Sequence, residues 1–266
     1  MIRDITLGQY YPGNSWVHRL DPRVKIIAPL LFIVELFIVD NFIGFAIAAI
    51  ALGAVISVSK VPLSFITRGL KPIFIILMFT FMLNMFFTDG RTLLQLGIIR
   101  ITYEGLERAV YMAIRLVLLL IGSSMLTLCT RPLSVSDGIE RLLAPFSKIG
   151  VPSHEIAMMM TIALRFIPTL LEETDKIMKA QQARGADFET GNLIQRAKSI
   201  IPIVVPLFIS AFRIAKDLAM AMEARCYRGG ENRTRMHEMK LKSGDFAAIA
   251  MLVIFMVVII GESVIL

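Results

Sequence analysis

The chain has 266 residues, 56% of them hydrophobic and 18% charged, with a mean hydropathy of +0.71, which excludes an ordinary soluble domain and marks a membrane protein. Its net charge of +7 is what Lys and Arg give when they hold loops on the cytoplasmic side, and it does not call for nucleic acid. Two cysteines, Cys129 and Cys226, have neither metal-ligand spacing nor partners for a disulfide framework.

Arg3, Asp4, Arg19, Asp21, Arg23 and Lys25 precede the first apolar run, so no cleavable signal peptide is expected. A helical span needs about 20 mostly apolar residues. Five stretches come near that: 24–39, 42–58, 70–87, 109–129 and 246–265. Arg19, Arg23 and Lys25 place the N-terminus inside, and Asp40-Asn41 makes a tight outer turn. Lys60, Arg68 and Lys71 mark the second loop as inner, and the charge-balanced loop 88–108 goes outside by parity. Glu35 and Arg115 lie inside apparent spans. Glu35, five residues from the outer turn, is expected to reach the interface, and Arg115 to pair within the protein or to approach a water-filled cleft. Pro22 and Asp21 should shape the first helix start, with Arg19, Arg23 and Lys25 on lipid headgroups. Small residues in the stretch Ala48 to Ala54 and at Gly122 to Ser124 permit close helix packing.

The character changes after the fourth span. Residues 131–242 hold 17 of the 28 Lys and Arg and 12 of the 21 Asp and Glu, the composition of a cytoplasmic block. Within it, 156–171 and 200–212 are apolar but interrupted by Pro168 and by Pro202 and Pro206, and if both crossed they would carry Lys176, Lys179, Arg184, Arg196 and Lys198 outside. They are therefore read as helices at or just under the inner surface. The fold class is an all-α membrane protein with about five transmembrane helices and a cytoplasmic block of long amphipathic helices. It divides into a four-helix region (1–130), the cytoplasmic block (131–243) and a last span (244–266) that leaves the C-terminus outside.

The block repeats itself at an offset of 41 residues. Phe166 to Leu171 aligns with Leu207 to Phe212, and Ala183-Arg184 with Ala224-Arg225. In each copy apolar residues recur at three- and four-residue spacing, with charged residues between them, the pattern of a helix that packs on protein or at an interface. One Ala-Arg-Gly is an ordinary helix end, because cations are favoured beside the macrodipole's negative pole and Gly follows the last turn readily. Two in the same place on matching helices point to a partner with two equivalent sockets. Arg suits these, since its rigid fork pairs bidentately with carboxylate.

These residues, with the N-terminal run from Gly13 to Lys25 and the order of four spans, helical block and last span, resemble the transmembrane (T) component of energy-coupling factor transporters, a branch of the ABC importers of prokaryotes. The resemblance covers essentially the whole chain. One departure is Cys226, where the family's usual residue is Gly. It implies a noncatalytic subunit of the prokaryotic cell membrane, with coupling helices whose ends, Ala183-Arg184-Gly185 and Ala224-Arg225-Cys226, dock into two ABC-type ATPase subunits. A substrate-binding S component for a vitamin or metal ion would lie on the coupling helices, with Met158, Met159, Leu170, Leu171, Phe208 and Phe212 as candidate contacts. ATP and Mg would belong to the partners, with no cofactor held by this chain. A T component dedicated to one substrate, such as cobalt, nickel or biotin, is the alternative within transport. Outside it, an intramembrane enzyme could use Asp137, Glu140 and His154. Against an enzyme, the sequence has neither a zinc-type His pair nor a phosphate loop, and His18, His154 and His237 are far apart.

Overall fold

The structure, a computed structural model, describes residues 10–96, 99–186, 188, 192–229 and 239–265. It is a helical membrane protein whose chain divides into two compact units, with the divide falling just after Gly138. The membrane unit runs from Gly8 to Gly138 and resumes at Glu238. In chain order it contains α1 (Trp16–Arg19), α2 (Pro22–Ile38), α3 (Phe42–Ser59), α4 (Leu63–Leu70), a 3-10 turn (Lys71–Ile73) and α5 (Phe74–Phe87). A short antiparallel hairpin of β1 (Thr92–Leu96) and β2 (Ile99–Thr102) follows, then α6 (Tyr103–Cys129), the start of α7 (Pro132–Leu143) and, after the other unit, α10 (Ser243–Ile265). The second unit holds the end of α7, a 3-10 turn (Ala144–Ile149), α8 (Ser153–Ala183) and α9 (Leu193–Ala224).

α6 is the hub of the membrane unit, with α2, α3, α4 and α5 packed around it, while α10 lies on α2 and α3. The buried core joins Leu36, Phe45, Ala48, Leu52, Leu118, Met125, Leu128 and Ile259. Close approach is set by Gly122, where a Cβ would come within 2.6 Å of the Phe32 ring. In the small-residue stretch of α3, Ala48 faces the core, but Gly53 faces open space. The third expected span starts earlier than its apolar run: Pro72 lacks an amide hydrogen and interrupts the helix, so α4 and α5 meet through the 3-10 turn. The loop 88–108 is shorter than expected, because it contains the hairpin and α6 begins at Tyr103. There the Thr102 hydroxyl caps the helix, accepting from the Gly105 N–H at 3.1 Å.

The N-terminal run is a clasp. Asp21 caps α2 by accepting from the Arg23 N–H, with Pro22 at the first helical position as expected. The Asp21 N–H donates to Asp245 Oδ1 at 2.7 Å, and the Lys242 N–H donates to the other oxygen of the same carboxylate at 2.7 Å. Lys25 is buried and donates to the carbonyls of His18 (2.7 Å) and Cys129 (3.3 Å), and Arg23 bonds to Asp21 and to the Met239 carbonyl. Headgroup binding by Lys25 and Arg23 is thus corrected: these cations close the junction of α2, α6 and α10, and only Arg19 is exposed. The His18 ring lies against the backbone at Gly13, with Nε2 3.1 Å from the Tyr11 carbonyl and Nδ1 2.7 Å from the Ser15 hydroxyl. Burial holds its pKa below the usual histidine value; the Tyr11 carbonyl opposes this and Lys25 adds to it. A neutral ring with its proton on Nε2 satisfies both partners.

Glu35 and Arg115, the two ionisable residues singled out within the spans, part ways. Arg115 pairs inside the unit, donating to the Val39 carbonyl (2.6 Å) and to Asp40 (3.1 Å), with its guanidinium against the rings of Phe37 and Phe45. Glu35 does not reach the interface. It is 2% exposed, and neither carboxylate oxygen has a partner among the described residues. Its place on the inner face of α2, one turn before the buried Val39, turns it inward.

Candidate docking site

α8 and α9 are continuous helices of 31 and 32 residues, which at about 1.5 Å per residue makes each about 46 to 48 Å long. Both are long, as expected, and each runs unbroken through its apolar stretch. Ser153–Ala183 and Lys198–Ala224 both reach the length and apolarity of a membrane span, together with Phe42–Ser59, Leu63–Phe87, Tyr103–Cys129 and Ser243–Glu262, whereas α2 has only 17 helical residues. The prolines at 168, 202 and 206 are absorbed within the helices and do not end them. The two run antiparallel: the Ser210 hydroxyl is 3.5 Å from Glu173, and His154 at the start of α8 meets Tyr227 just beyond α9. Arg184 and Arg225 therefore lie at opposite ends of the helix pair.

The two ends are built alike. At the first, the Gly185 N–H donates to Gln182 O (2.9 Å) and the Ala186 N–H to Gln181 O (3.0 Å). At the second, the Cys226 N–H donates to Glu223 O (2.8 Å) and the Tyr227 N–H to Met222 O (3.0 Å). Each acceptor and donor in the second set is 41 residues after its counterpart, so the sequence repeat holds hydrogen bond for hydrogen bond. Both are left-handed helix terminations, with Gly185 at φ +88° and Cys226 at φ +53° in the turning position. The turn places Arg184 and Arg225 at equivalent, exposed positions, and Ala183 and Ala224, also exposed, as the last helical residues.

The candidate S-component contacts differ in exposure. Phe208 and Phe212 are each 62% exposed, and their rings pack edge to face at 4.8 Å between centroids. Ile201, Val204, Val205 and Ile209 extend that exposed apolar surface along α9. Leu170 and Leu171 are half-buried. Met159 is 58% exposed, but Met158 belongs to the second tip. There it lines a groove of about 540 Å³ with Ile162, Leu218, Met222, Arg225 and Tyr227. Charged residues on α8 are partly spent on one another, Lys179 with Asp175 at 2.7 Å and Lys176 with Glu173 at 3.9 Å, as exposed helical pairs of small energetic weight.

Sequence reading missed Tyr227. Its hydroxyl lies 3.2 Å from His154 Nε2, and His154 Nδ1 lies 3.0 Å from Glu140 Oε1. Glu140 and His154, considered only as parts of an enzyme site, are brought together at the second tip, while Asp137 is exposed on α7. The offset rule could have exposed Tyr227, because it stands where the first copy has Ala186. Among the described residues no group of three or more His, Cys, Asp or Glu side chains gathers as metal ligands.

Known proteins match the chain over most of its length. Residues 13–236 match the family CbiQ, described as cobalt transport protein. Proteins called energy-coupling factor transporter transmembrane protein EcfT are 58% identical over 247 residues in Thermosediminibacter oceani and 61% over 250 residues in Clostridium kluyveri, in both cases covering 93% of each chain. The one in Bacillus subtilis is 45% identical over 255 residues, covering 96% of each.

The chain belongs to the EcfT family of T components.

Its resemblance from the Gly13 to Lys25 run and the paired Ala-Arg ends thus stands. An EcfT protein is a multi-pass membrane component of a multi-subunit transporter, and the six long apolar helices among the described residues are of that kind. The left-handed Cys226 explains how this chain departs from Gly there: it keeps the turn and accepts its conformational cost.

Proposed function

We propose that this chain is the noncatalytic coupling subunit of an energy-coupling factor importer. It would join two ABC-type ATPase subunits, docked at Arg184 and Arg225, to a substrate-binding S component that carries a vitamin or a metal ion. The single observation that carries this reading is the identical six-residue turn at both ends of the α8/α9 pair, each presenting one exposed Arg. Two equal prongs suit a partner with two similar sockets. The N-terminus and both coupling helices would lie on the cytoplasmic side, because two crossings would carry Lys176, Lys179, Arg184, Arg196 and Lys198 outside, against the bias that keeps Lys and Arg inside. The exposed apolar stripe of α9 around Phe208 and Phe212 would seat the S component. ATP and Mg would be held by the ATPases, whose closure and opening move the prongs and, through the helices, the S component.

An Arg buried in a carboxylate-lined socket costs about 2 to 5 kcal/mol to truncate, and charge reversal costs more. Arg184→Glu combined with Arg225→Glu should abolish copurification of both ATPases while the protein still inserts in the membrane. Full recovery of the ATPases with the double variant would remove the docking assignment. The family description as a cobalt transport protein supports a second reading, a T component dedicated to a metal ion. Mass spectrometry of the complex in mild detergent decides between them: a shared T component brings several S components, a dedicated one a single kind.

A further inference from the structure

The two prongs end in the same turn but are not held alike. A helix end leaves its last carbonyls without helical partners and frays readily. At the second prong, Tyr227 counters this. Its N–H closes the turn on Met222, its ring lines the groove with Met158 and Ile162, and its hydroxyl reaches His154, 73 residues earlier, at 3.2 Å. His154 stands in the first turn of α8 and continues the chain of bonds to Glu140 of α7, whose side chain is 12% exposed. The bonds are consistent in either protonation state of the ring. With the proton on Nδ1 it donates to the Glu140 carboxylate and accepts from the Tyr227 hydroxyl; with both nitrogens protonated it donates to both. At the first prong the equivalent of Tyr227 is Ala186, whose methyl group can make no such bond.

We propose that Glu140, His154 and Tyr227 form a strut that ties the Arg225 prong to the base of α8, making it the stiff arm of the connector and Arg184 the compliant one. Tyr227 and His154 are positioning residues: they act through Arg225, and a push on that side chain passes into α8 instead of unwinding the last turn of α9. The functional half of this inference rests on Arg225 being a docking residue, whereas the strut itself does not.

Cys226 supplies the probe, since it is exposed while Cys129 is buried. In the purified full-length chain carrying Cys129→Ala, a nitroxide spin label on Cys226 reports the second prong. Exchanging Gly185→Cys with Cys226→Gly puts the same label in the same place at the first. The label at 226 should be the slower, and Tyr227→Phe or His154→Ala should shorten its correlation time about twofold or more while the label at 185 is unchanged. His154→Gln, whose amide can still donate to Glu140 and accept from Tyr227, should restore most of the restraint. Equal mobility at 226 in the parent and in both variants would overturn the strut, whatever the partners do. In the assembled transporter, Tyr227→Phe should keep both ATPases bound and lower uptake per ATP hydrolysed about threefold or more, as expected when a positioning element is loosened. A loosened label with unchanged uptake would overturn the positioning role. Because Arg225→Glu tests docking by copurification and the label needs no partner, failure of one reading is told apart from failure of the other.

Discussion

The membrane unit buries a network of polar groups, and the unit of α8 and α9 buries few side chains of any kind among the described residues. In the first, Lys25, Asp21 and Asp245 are buried, with Asp245 accepting from the Asp21 N–H and Lys25 donating to the carbonyls of His18 and Cys129. In the second, only Glu140, Ser153, Ala157 and Ile203 are buried among the described residues, while a row of Ile, Val and Phe on α9 stands exposed. The difference separates two uses of charge and hydrophobicity. Polar residues close together inside a membrane unit are there to satisfy backbone and hold helices, and large apolar residues left open on a helical pair mark surface to be covered by something else. Both units leave large apolar side chains open, Ile50, Phe74 and Ile75 in the first and Phe208 and Phe212 in the second, so what sets the first apart is its buried polar network.

The largest effect should come from the exposed row. Phe208→Asp with Phe212→Asp removes an aromatic pair that makes no buried core, so thermal unfolding of the isolated chain should shift by no more than the equivalent of about 0.5 kcal/mol. Aromatic anchors at an interface are each worth about 2 kcal/mol or more, so S-component retention should fall at least about 30-fold while the ATPases still copurify. A large loss of stability in the isolated chain would mean that α9 packs inward at this point, and the contrast between the units would be lost.

A smaller effect probes the membrane unit from the other side. Gly122→Leu sets a side chain into the Phe32 ring, where even a Cβ is 2.6 Å away, and should cost about 1 to 3 kcal/mol as overpacking. Gly53→Leu, on α3 but facing open space, should be within about 0.5 kcal/mol of the parent. Detergent thermal-shift curves of the two variants check this. Equal destabilisation by both would show that helix flexibility, and not contact with Phe32, is what Gly122 supplies.

Much of this arrangement is written locally in the chain. Apolar runs located α2, α3, α5, α6 and α10 to within a few residues, except where Pro72 splits a span and the hairpin shortens the third loop, but α2 stops at 17 residues while α8 and α9 also reach span length. The paired Ala-Arg steps were legible because a repeat at fixed offset survives divergence of the side chains around it. What the sequence could not show is where a charge is spent. Arg23, Lys25 and Glu35 look alike in pattern to residues that seek headgroups or the interface, and only the position of α6 and α10 beside α2 reveals that the two cations bond inward and that the acid is enclosed. The strut was hidden for the same reason: His154 and Tyr227 are 73 residues apart and meet only because α8 and α9 run antiparallel.

The smallest effect concerns the two prongs themselves. Gly185 occupies the left-handed turn without cost, but Cys226 holds φ +53° with a Cβ, which costs about 1 kcal/mol relative to Gly. Cys226→Gly should therefore tighten the second prong and slow amide hydrogen exchange at Tyr227 by about fivefold, the equivalent of about 1 kcal/mol. Gly185→Ala should do the reverse at the first prong and speed exchange at Ala186 by a similar factor. Both shifts act on the turn alone, because the amides that close it, Ala186 and Tyr227, bond to carbonyls of their own helix. If Cys226→Gly instead speeds exchange at Tyr227, the side chain of Cys226 is stabilising the turn through its contacts in the groove beside Arg225. The second prong would then owe its hold to packing as well as to its hydrogen bonds.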